Sequence, residues 1–552
     1  MSTINQRVKS LSPEKREELA KLLQQKRASH RRYHKQVDVA ILGGGLAGLT
    51  LARQLKRANA DLSILVMDKN QQPAPEAAFK VGESTVELGS YYLREILDLK
   101  TQLEQTQLLK AGLRFYFPAE GNRDITRRVE LGGVIMPPIR GHQLDRGRFE
   151  NMLWAENQQQ EIECWDDCSV RQIDLDETAQ HTVTIHRHEA EETIGARWVI
   201  DASGRSSLLK RQLDLSEGVS HDASSVWFRI GTRIDVDQWS NDAGWLGRVP
   251  SNMRWLGTNH LMGRGYWVWL IPLASGATSV GIVADPNIHP HHEMNRFERA
   301  LDWLRRHEPQ CADVIEEHQH LLQDFHALKH YAHGCHRVFS PQRWAMSGES
   351  GVFLDPFYSP GTDFISISNS LITDLISRDL RGESIEMRAE LYNHSYLNTF
   401  KSFMATYEGQ YALMGNPRVM IAKIAWDWAA YWGVTTLLFF NDNKLYDLAW
   451  AASMREPLQR FNGLYIEMQN FFRQWATLPP EPQRDHFVNI LGFPFLEEFY
   501  FGLNAKLDDE ALKIQFHKNL TWLEAIANDC KMRGMVQHKA GAHYFNRVGV
   551  MA

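Results

Sequence analysis

A glycine-rich turn constrains the fold of this chain more than any other feature of its sequence. A short apolar strand at 37–42 runs into Gly43-Gly44-Gly45-Leu46-Ala47-Gly48, and an Ala/Leu-rich helix follows the turn. A second apolar strand at 62–67 then ends at Asp68, 20 residues after Gly48. A strand, a glycine turn, a helix and a second strand together predict a βαβ unit.

Each glycine of the turn has a physical task in a dinucleotide site. Gly43 permits the tight turn, Gly45 lets the backbone approach a pyrophosphate, and Gly48 allows close contact between helix and strand. The first turn of the helix, with Ala47, presents free N–H groups and the positive end of its dipole to the phosphates. Asp68 is placed to accept hydrogen bonds from ribose hydroxyls. The pattern therefore predicts a dinucleotide-binding turn.

Composition and charge set the class of protein. The chain has 552 residues, which suggests two or three packed units. Its apolar content of 43% and charged content of 23% are typical of a globular protein. The net charge of −6 gives no reason to expect a nucleic acid or an anionic membrane as partner. The most apolar long stretch, 421–440, contains Lys423 and Asp427 and is predicted to be a buried or interfacial helix and not a membrane span.

The sequence pattern predicts three regions. Residues 1–35 form a polar helical arm that weakly resembles the linkers beside carrier proteins in nonribosomal peptide synthetases. Residues 36–375 hold the dinucleotide turn and a β-rich insertion at about 125–290. Residues 376–552 are mainly helical. Five cysteines at sparse spacing predict neither a disulfide framework nor a metal site, and we expect a cytoplasmic protein.

Four later segments indicate which dinucleotide the turn binds. They are Arg146 within 143–149, Asp201 in the strand-to-turn segment 199–206, Gly348-Glu349-Ser350-Gly351, and Asp355-Pro356-Phe357-Tyr358-Ser359-Pro360-Gly361. In this order they resemble the FAD-binding set of the flavoprotein hydroxylase superfamily. The resemblance implies FAD as cofactor, bound by Arg146, Asp201, Gly348, Asp355 and Gly361 beside the glycine turn. One departure is Glu349, where the family usually has Asp.

The superfamily resemblance also implies the fold class. We expect an α/β protein with a Rossmann-like, three-layer ββα FAD-binding domain. A β-rich substrate region is inserted into that domain, and a helical cap forms the C-terminus.

A tryptophan pair points to one branch of the superfamily. Trp267-Val268-Trp269-Leu270-Ile271-Pro272 resembles the WxWxIP signature of flavin-dependent halogenases. Side chains at i and i+2 of a strand share one face. In the halogenases the two rings separate the flavin from the organic substrate, so the resemblance assigns that role to Trp267 and Trp269. Tyr266 departs from the Gly that usually precedes the signature.

The segment Phe79-Lys80-Val81-Gly82-Glu83-Ser84 resembles the GEx segment at the flavin of these halogenases, which implies that Glu83 contacts the cofactor. The stretch 108–115 resembles the segment that carries their catalytic lysine, which makes Lys110 the candidate. Its apolar neighbours favour a position near buried surface, whereas most lysines are solvated.

The turn Ser359-Pro360-Gly361-Thr362 matches the position where halogenases of this type bind halide. Backbone N–H groups in such a turn can form an anion nest, here at Ser359, Gly361 and Thr362. Tryptophan halogenases carry a Glu just before the turn, and this chain has Tyr358. The resemblance is therefore to halogenases of phenols and pyrroles, some of which act on carrier-bound substrates.

The implied activity is halogenation of an electron-rich aromatic compound that depends on reduced FAD, O₂ and chloride or bromide. Hypohalous acid formed near Gly361 and Thr362 is passed to Lys110, which delivers it to a free or carrier-bound substrate. A separate flavin reductase supplies the reduced FAD. Three alternatives stay open: an aromatic hydroxylase of the same fold, a prenyl-chain reductase, and a flavin-bearing interaction protein without chemistry of its own.

Overall fold

The computed structural model describes residues 12, 33–77, 80, 82–177, 179–478 and 486–535. The predicted arm, residues 1–35, lies outside these residues except for 12 and 33–35, as do Phe79 and Val81 of the GEx segment. The first strand begins at Lys35, so the predicted end of the arm overlaps the sheet by one residue.

The first of the two main sheets is mixed, with both parallel and antiparallel strands. Its main path, from one edge to the other, is β18 (Phe339–Ser340), β19 (Trp344–Met346), β10 (Ala190–Asp201), β1 (Lys35–Leu42), β2 (Ile64–Met67) and β7 (Glu163–Trp165). The strands from β19 to β7 are parallel. The long strand β10 also pairs antiparallel with β9 (His181–Arg187), which pairs with β8 (Ser169–Asp174).

Register brings the carboxyl ends of the parallel strands to one edge. Leu42 lies opposite both Asp201 and Met67, and Asp201 lies opposite Met346. The segments that follow these strands, beginning at Gly43, Asp68, Ala202 and Ser347, therefore lie side by side. Ligands of open α/β sheets bind at this edge.

A second, largely antiparallel sheet contains only part of the β-rich region predicted at about 125–290, because β7 to β10 of that range belong to the first sheet. Its order is β16 (Leu322–Leu328), β12 (Ser224–Ile230), β15 (Thr278–Ala284), β14 (Tyr266–Pro272), β13 (Thr258–Gly263), β4 (Leu113–Phe117), β5 (Val129–Gly132) and β20 (Phe487–Asn489). Strand β20 comes from the C-terminal region, so that region also extends the second sheet. Two small pairs, β3 (Leu108–Lys110) with β6 (Gly141–Gln143) and β11 (Ser216–Glu217) with β17 (Gly334–Cys335), complete the strands.

Helices cover the sheets and form the C-terminal region. In chain order they are α1 (Leu46–Ala58), α2 (Glu87–Tyr91), α3 (Lys100–Thr106), α4 (Arg146–Gln159), α5 (Leu208–Gln212), α6 (Ala243–Leu246), α7 (Phe297–His307), α8 (Pro309–Glu317), α9 (Gly361–Leu380), α10 (Glu386–Met404), α11 (Pro417–Ala430), α12 (Leu437–Phe440), α13 (Leu448–Ser453), α14 (Arg455–Trp475), α15 (Pro494–Gly502) and α16 (Asp509–Met535). Helix α1 packs against α4 and α9 beside the first sheet.

The apolar stretch 421–440 is interrupted. Helix α11 ends at Ala430, a π-helical segment covers Tyr431–Thr436, and α12 follows. Its side chains are mostly buried, including Lys423 and Asp427, as predicted for a buried helix. Among the described residues, no helix is both long and apolar enough to cross a membrane.

Candidate active site

The carboxyl edge of the first sheet opens into a large cavity of about 650 Å³. Of the residues predicted to bind the cofactor, nine line it: Gly43, Gly45, Ala47, Asp68, Glu83, Arg146, Gly348, Asp355 and Gly361. The other two, Gly48 and Asp201, lie behind the lining. Asp201 is fully buried and accepts hydrogen bonds from the backbone N–H groups of Ser203 and Leu209 at 2.9 and 2.8 Å.

The three key glycines differ in what surrounds them. A Cβ at Gly48 would lie 2.0 Å from the Gly43 carbonyl oxygen, and Gly43 itself has φ +123° with the Ala202 carbonyl oxygen 2.3 Å from where its Cβ would be. These two glycines are required by the fold. Gly45 has no protein atom within 4 Å of that position and faces the cavity. The empty space over Gly45, at the start of α1, fits a pyrophosphate.

Asp68 contributes to both the turn and the cavity. Its Oδ2 accepts a hydrogen bond from the Gly44 N–H at 2.7 Å, and its Oδ1 accepts one from the Asn70 N–H at 2.8 Å. The carboxylate therefore fixes the glycine turn while it lines the cavity. The cavity, the turn and this carboxylate fit the adenosine and pyrophosphate parts of FAD.

Sequence reasoning missed the buried partner of Glu83. Arg229 donates to Glu83 Oε1 through Nη2 at 2.5 Å and lies 3.4 Å from Asp145 Oδ1. All three side chains are almost fully buried. Arg229, the one charged residue of strand β12, follows the apolar run Val226-Trp227-Phe228 and was the available signal, because a buried charge needs a partner.

Asp355 is the centre of a second buried network that sequence reasoning missed. Its Oδ2 accepts hydrogen bonds from Tyr331 and Tyr411 at 2.7 and 2.6 Å and lies 2.7 Å from His221 Nε2. The tryptophan pair joins this network, since Trp267 Nε1 donates to the Tyr411 hydroxyl at 3.1 Å.

Trp267 and Trp269 are buried and line the large cavity, with ring centroids 5.6 Å apart. On the far side of Trp267 lies Phe357, at 5.2 Å between centroids, and Phe357 contacts Tyr358 at 4.2 Å. Tyr358 lines a different cavity. These four rings, called the aromatic partition below, form a chain of contacts from the lining of the large cavity to that of the second cavity.

The predicted halide turn has an unusual backbone. Tyr358 and Ser359 both have left-handed conformations, with φ of 70° and 61°, and α9 begins two residues later at Gly361. Consecutive non-glycine residues in this region are strained, and such strain is concentrated at functional sites. Ser359, Gly361 and Thr362 line the large cavity, and Pro360 lines both cavities. The turn therefore lies where the two cavities meet.

The second cavity, of about 120 Å³, is lined by residues of β3, the halide turn and the C-terminal region. Its walls are mostly apolar and aromatic. Its polar groups include Lys110, three carboxylates and five tyrosines, namely Glu87, Asp363, Asp427, Tyr358, Tyr407, Tyr431, Tyr465 and Tyr500.

Lys110 connects the two cavities. It is the last residue of β3 and is held by antiparallel pairing with β6, opposite Gly141. The side chain is 3% exposed, and Nζ donates to Ser84 Oγ and to the Thr85 carbonyl oxygen, each at 2.7 Å. Ser84 lines the large cavity, whereas Lys110 and Thr85 line the small one.

Burial lowers the pKa of Lys110 to about 7, although the nearby carboxylates of Glu87 and Asp363 oppose this shift. The amine is therefore present in both protonation states near neutral pH. A lysine of this kind can donate a hydrogen bond when charged and act as a nucleophile when neutral.

The chain is similar in sequence to a known domain family and to characterised enzymes. Residues 36–280 match the family described as FAD binding domain. The chain is 25% identical over 369 residues to the flavin-dependent halogenase chlA of Dictyostelium discoideum. That match spans 61% of this chain and 60% of the relative, which is less than two thirds of its length. The chain is also 22% identical over 342 residues to a 1H-pyrrole-2-carbonyl-[peptidyl-carrier protein] chlorinase of Pseudomonas fluorescens, over 59% of this chain and 72% of the relative.

Solved structures agree with the sequence matches. The crystal structure of halogenase PltM in complex with phloroglucinol and FAD superposes with a TM-score of 0.64 at 16% identity, over 89% of this chain and 96% of that one. The chondrochloren halogenase CndH superposes with a TM-score of 0.53 at 20% identity, over 68% and 82%. These matches confirm the predicted FAD-binding fold and the predicted resemblance to flavin-dependent halogenases.

Proposed function

We propose that this chain is a flavin-dependent halogenase that acts on a small phenolic substrate held in the cavity of Lys110. The observation that carries the proposal is the position of Lys110 between a cofactor-sized cavity and a second, largely aromatic one. Lys110 Nζ contacts Ser84 of the first cavity and itself lines the second. A group at this position can receive a halogen species from one side and present it to the other.

When bound, reduced FAD would supply hypohalous acid from O₂ and halide. The residues of this chain have the remaining tasks. The turn at Ser359, Gly361 and Thr362 holds the halide, and the aromatic partition keeps the organic substrate out of the cofactor cavity. Lys110 binds the hypohalous acid and polarises its oxygen as the aromatic carbon attacks the halogen.

The second cavity favours a free, single-ring substrate. Its lining includes Trp428 and Trp432 of the C-terminal region. Five tyrosine hydroxyls provide hydrogen-bond partners for ring hydroxyls, and the apolar walls suit a flat ring. The phloroglucinol complex of PltM, which aligns over most of this chain, agrees with a phenol. A carrier-bound substrate, as named for the Pseudomonas fluorescens chlorinase, is the alternative.

We further propose that reduced FAD comes from a separate flavin reductase, since the sequence has a single dinucleotide fingerprint, at 43–48.

The five cysteines are free thiols, which agrees with a reducing compartment such as the cytoplasm.

The proposal is tested by one incubation that contains the protein, FAD, a flavin reductase, NADH, bromide and a panel of phenols, pyrroles and indoles. We expect a brominated phenol by mass spectrometry, and its loss when bromide is omitted. A hydroxylated product that does not depend on halide would instead support the aromatic hydroxylase. Saturation of a prenyl chain would support the reductase, and FAD binding without any turnover would leave only an interaction role.

Replacing Trp267 by Ala is expected to weaken the separation of the two cavities. The variant would remove the ring between the cofactor cavity and Phe357, so hydroxylated product and free peroxide should rise relative to brominated product. A stability loss of about 3–5 kcal/mol is also expected for a buried Trp. Trp267→Phe is the matched control, because it keeps an aromatic ring at this position while it removes the hydrogen bond to Tyr411 and part of the indole volume. An unchanged ratio of brominated to hydroxylated product in Trp267→Ala would remove this residue from the partition.

A further inference from the structure

A buried carboxylate and a tyrosine lie in the same cavity as Lys110. Asp363, in the first turn of α9, is 2% exposed and lines the cavity. Its Oδ1 accepts a hydrogen bond from the Gly89 N–H at 2.8 Å, and its Oδ2 accepts one from the Tyr431 hydroxyl at 2.7 Å. Both side chains face the space proposed for the substrate ring.

The hydroxyl of Tyr431 is oriented by its two contacts. It donates its proton to Asp363 and accepts a hydrogen bond from the Leu88 N–H at 3.1 Å. A phenolic oxygen can accept two hydrogen bonds, so a second acceptor position is available for a substrate hydroxyl in the cavity. Tyr431 is also the first residue of the π-helical segment, and such segments are frequent at functional sites.

The other carboxylates of the cavity differ from Asp363 in their surroundings. Asp427 pairs with Lys423 at 2.7 Å and accepts a hydrogen bond from Gln469 at 2.7 Å, so its negative charge is already compensated. Glu87 is only half-buried. Among the described residues, no ion pair within 4 Å involves Asp363.

The pKa of Asp363 suits a group that accepts a proton from a phenol. Burial raises the pKa of Asp363 to about 7, against the hydrogen bonds from Tyr431 and Gly89 that lower it. A phenol with a pKa of about 10 transfers its proton to such an acceptor with an equilibrium constant near 10⁻³, compared with about 10⁻⁶ for an ordinary Asp. Proton transfer is most effective when the acceptor titrates near the working pH.

We propose that Tyr431 and Asp363 form the relay that removes the hydroxyl proton of the phenolic substrate during halogenation. The substrate hydroxyl donates to the Tyr431 oxygen, and Tyr431 passes its own proton to Asp363 Oδ2. This inference rests on the proposed function and adds the base for that reaction.

The step balances with hypohalous acid as the oxidant. The phenol O–H bond breaks as protons move through Tyr431 to Asp363, and the ring carbon takes the halogen while the oxygen–halogen bond breaks. The hydroxide that leaves takes a proton from the Lys110 ammonium and becomes water. The resulting dienone loses its ring proton to the Lys110 amine, and its oxygen regains the hydroxyl proton from Asp363 through Tyr431. Phenol and hypohalous acid thus give halophenol and water.

The test uses a series of phenols of similar size whose pKa values run from about 10 to below 6, assayed with the full-length enzyme, FAD, reductase and bromide. We expect Asp363→Asn and Tyr431→Phe to slow bromination of the least acidic phenols by about 10²-fold. The same variants should approach the wild-type rate on the most acidic phenols, which are already ionised in solution. A merely structural defect would lower all rates by the same factor.

Helix α9 offers a matched control pair. Tyr392 donates to Asp374 at 2.8 Å, as Tyr431 does to Asp363, but neither residue lines the cavities. Asp374→Asn and Tyr392→Phe should follow the wild-type across the series. Equal slowing of bromination for every phenol in Asp363→Asn would overturn the relay. The relay would also be overturned if the slowing depended on phenol pKa only in Glu87→Gln. Failure of the wild-type enzyme to brominate any phenol would instead reject the proposed function.

Discussion

Lys110→Met is expected to abolish bromination while FAD binding is unchanged. Methionine keeps most of the length and volume of the side chain, so the site stays largely filled, but the amine that we propose to bind hypohalous acid is lost. Removing a single donor that stabilises developing charge costs about 10²–10³-fold in rate, and we expect the turnover number to fall at least that far. Lys110→Arg should also fail, since a guanidinium stays charged and cannot occupy the same point between Ser84 and Thr85.

The measurement is brominated product formed per O₂ consumed, together with the visible spectrum of bound FAD. Lys80→Met is the control, because Lys80 lines the cofactor cavity and pairs with Glu150 but does not line the Lys110 cavity. We expect this variant to bind FAD more weakly, but each O₂ consumed should still yield product. Regioselective bromination that survives in Lys110→Met would remove Lys110 from the reaction.

Gly45→Val has the second largest expected effect, which is on FAD affinity. The backbone of Gly45 is extended, with φ −87° and ψ −170°, and nothing lies within 4 Å of the added Cβ. Valine should therefore leave the fold intact while its methyl groups occupy the space of the pyrophosphate. Overpacking costs about 1–3 kcal/mol, which corresponds to roughly 5- to 150-fold weaker binding.

Gly48→Val serves to distinguish a direct loss of FAD binding from a loss of stability of the fold. Its Cβ would clash with the Gly43 carbonyl oxygen, so this variant should lose stability even without FAD. Thermal unfolding of the FAD-free proteins and fluorescence titration with FAD distinguish the cases. An unchanged melting temperature with wild-type FAD affinity in Gly45→Val would mean that the pyrophosphate lies elsewhere.

Part of the site could be predicted from the sequence because its signals are local. The glycine turn and Asp68 follow strands whose register brings them to one edge, so short motifs were sufficient to predict that these residues lie together, and they line the large cavity. Lys110 was identified by its resemblance to a known segment, and its apolar neighbours agreed with its burial. The helical character of the C-terminal region also followed from periodicity.

The remaining groups depend on contacts between distant parts of the chain. Asp363 meets Tyr431 across 68 residues, and Arg229 meets Glu83 across 146. No spacing rule relates such pairs, and an aspartate in the first turn of a helix has an ordinary explanation in the helix dipole. Strand β20 was missed for a similar reason. It has only three residues, which are too few to show a strand pattern in the sequence, and it pairs at the edge of a sheet that is distant along the chain.

The central claim is that the halogen reaches the substrate inside the protein, through Lys110. The most direct test is a single turnover in which enzyme with reduced FAD, bromide and a phenol is exposed to O₂, with and without excess free methionine to consume any hypobromous acid in solution. We predict one brominated regioisomer in a yield that methionine does not change. The mixture of isomers given by free hypobromous acid, suppressed by methionine, would contradict the account.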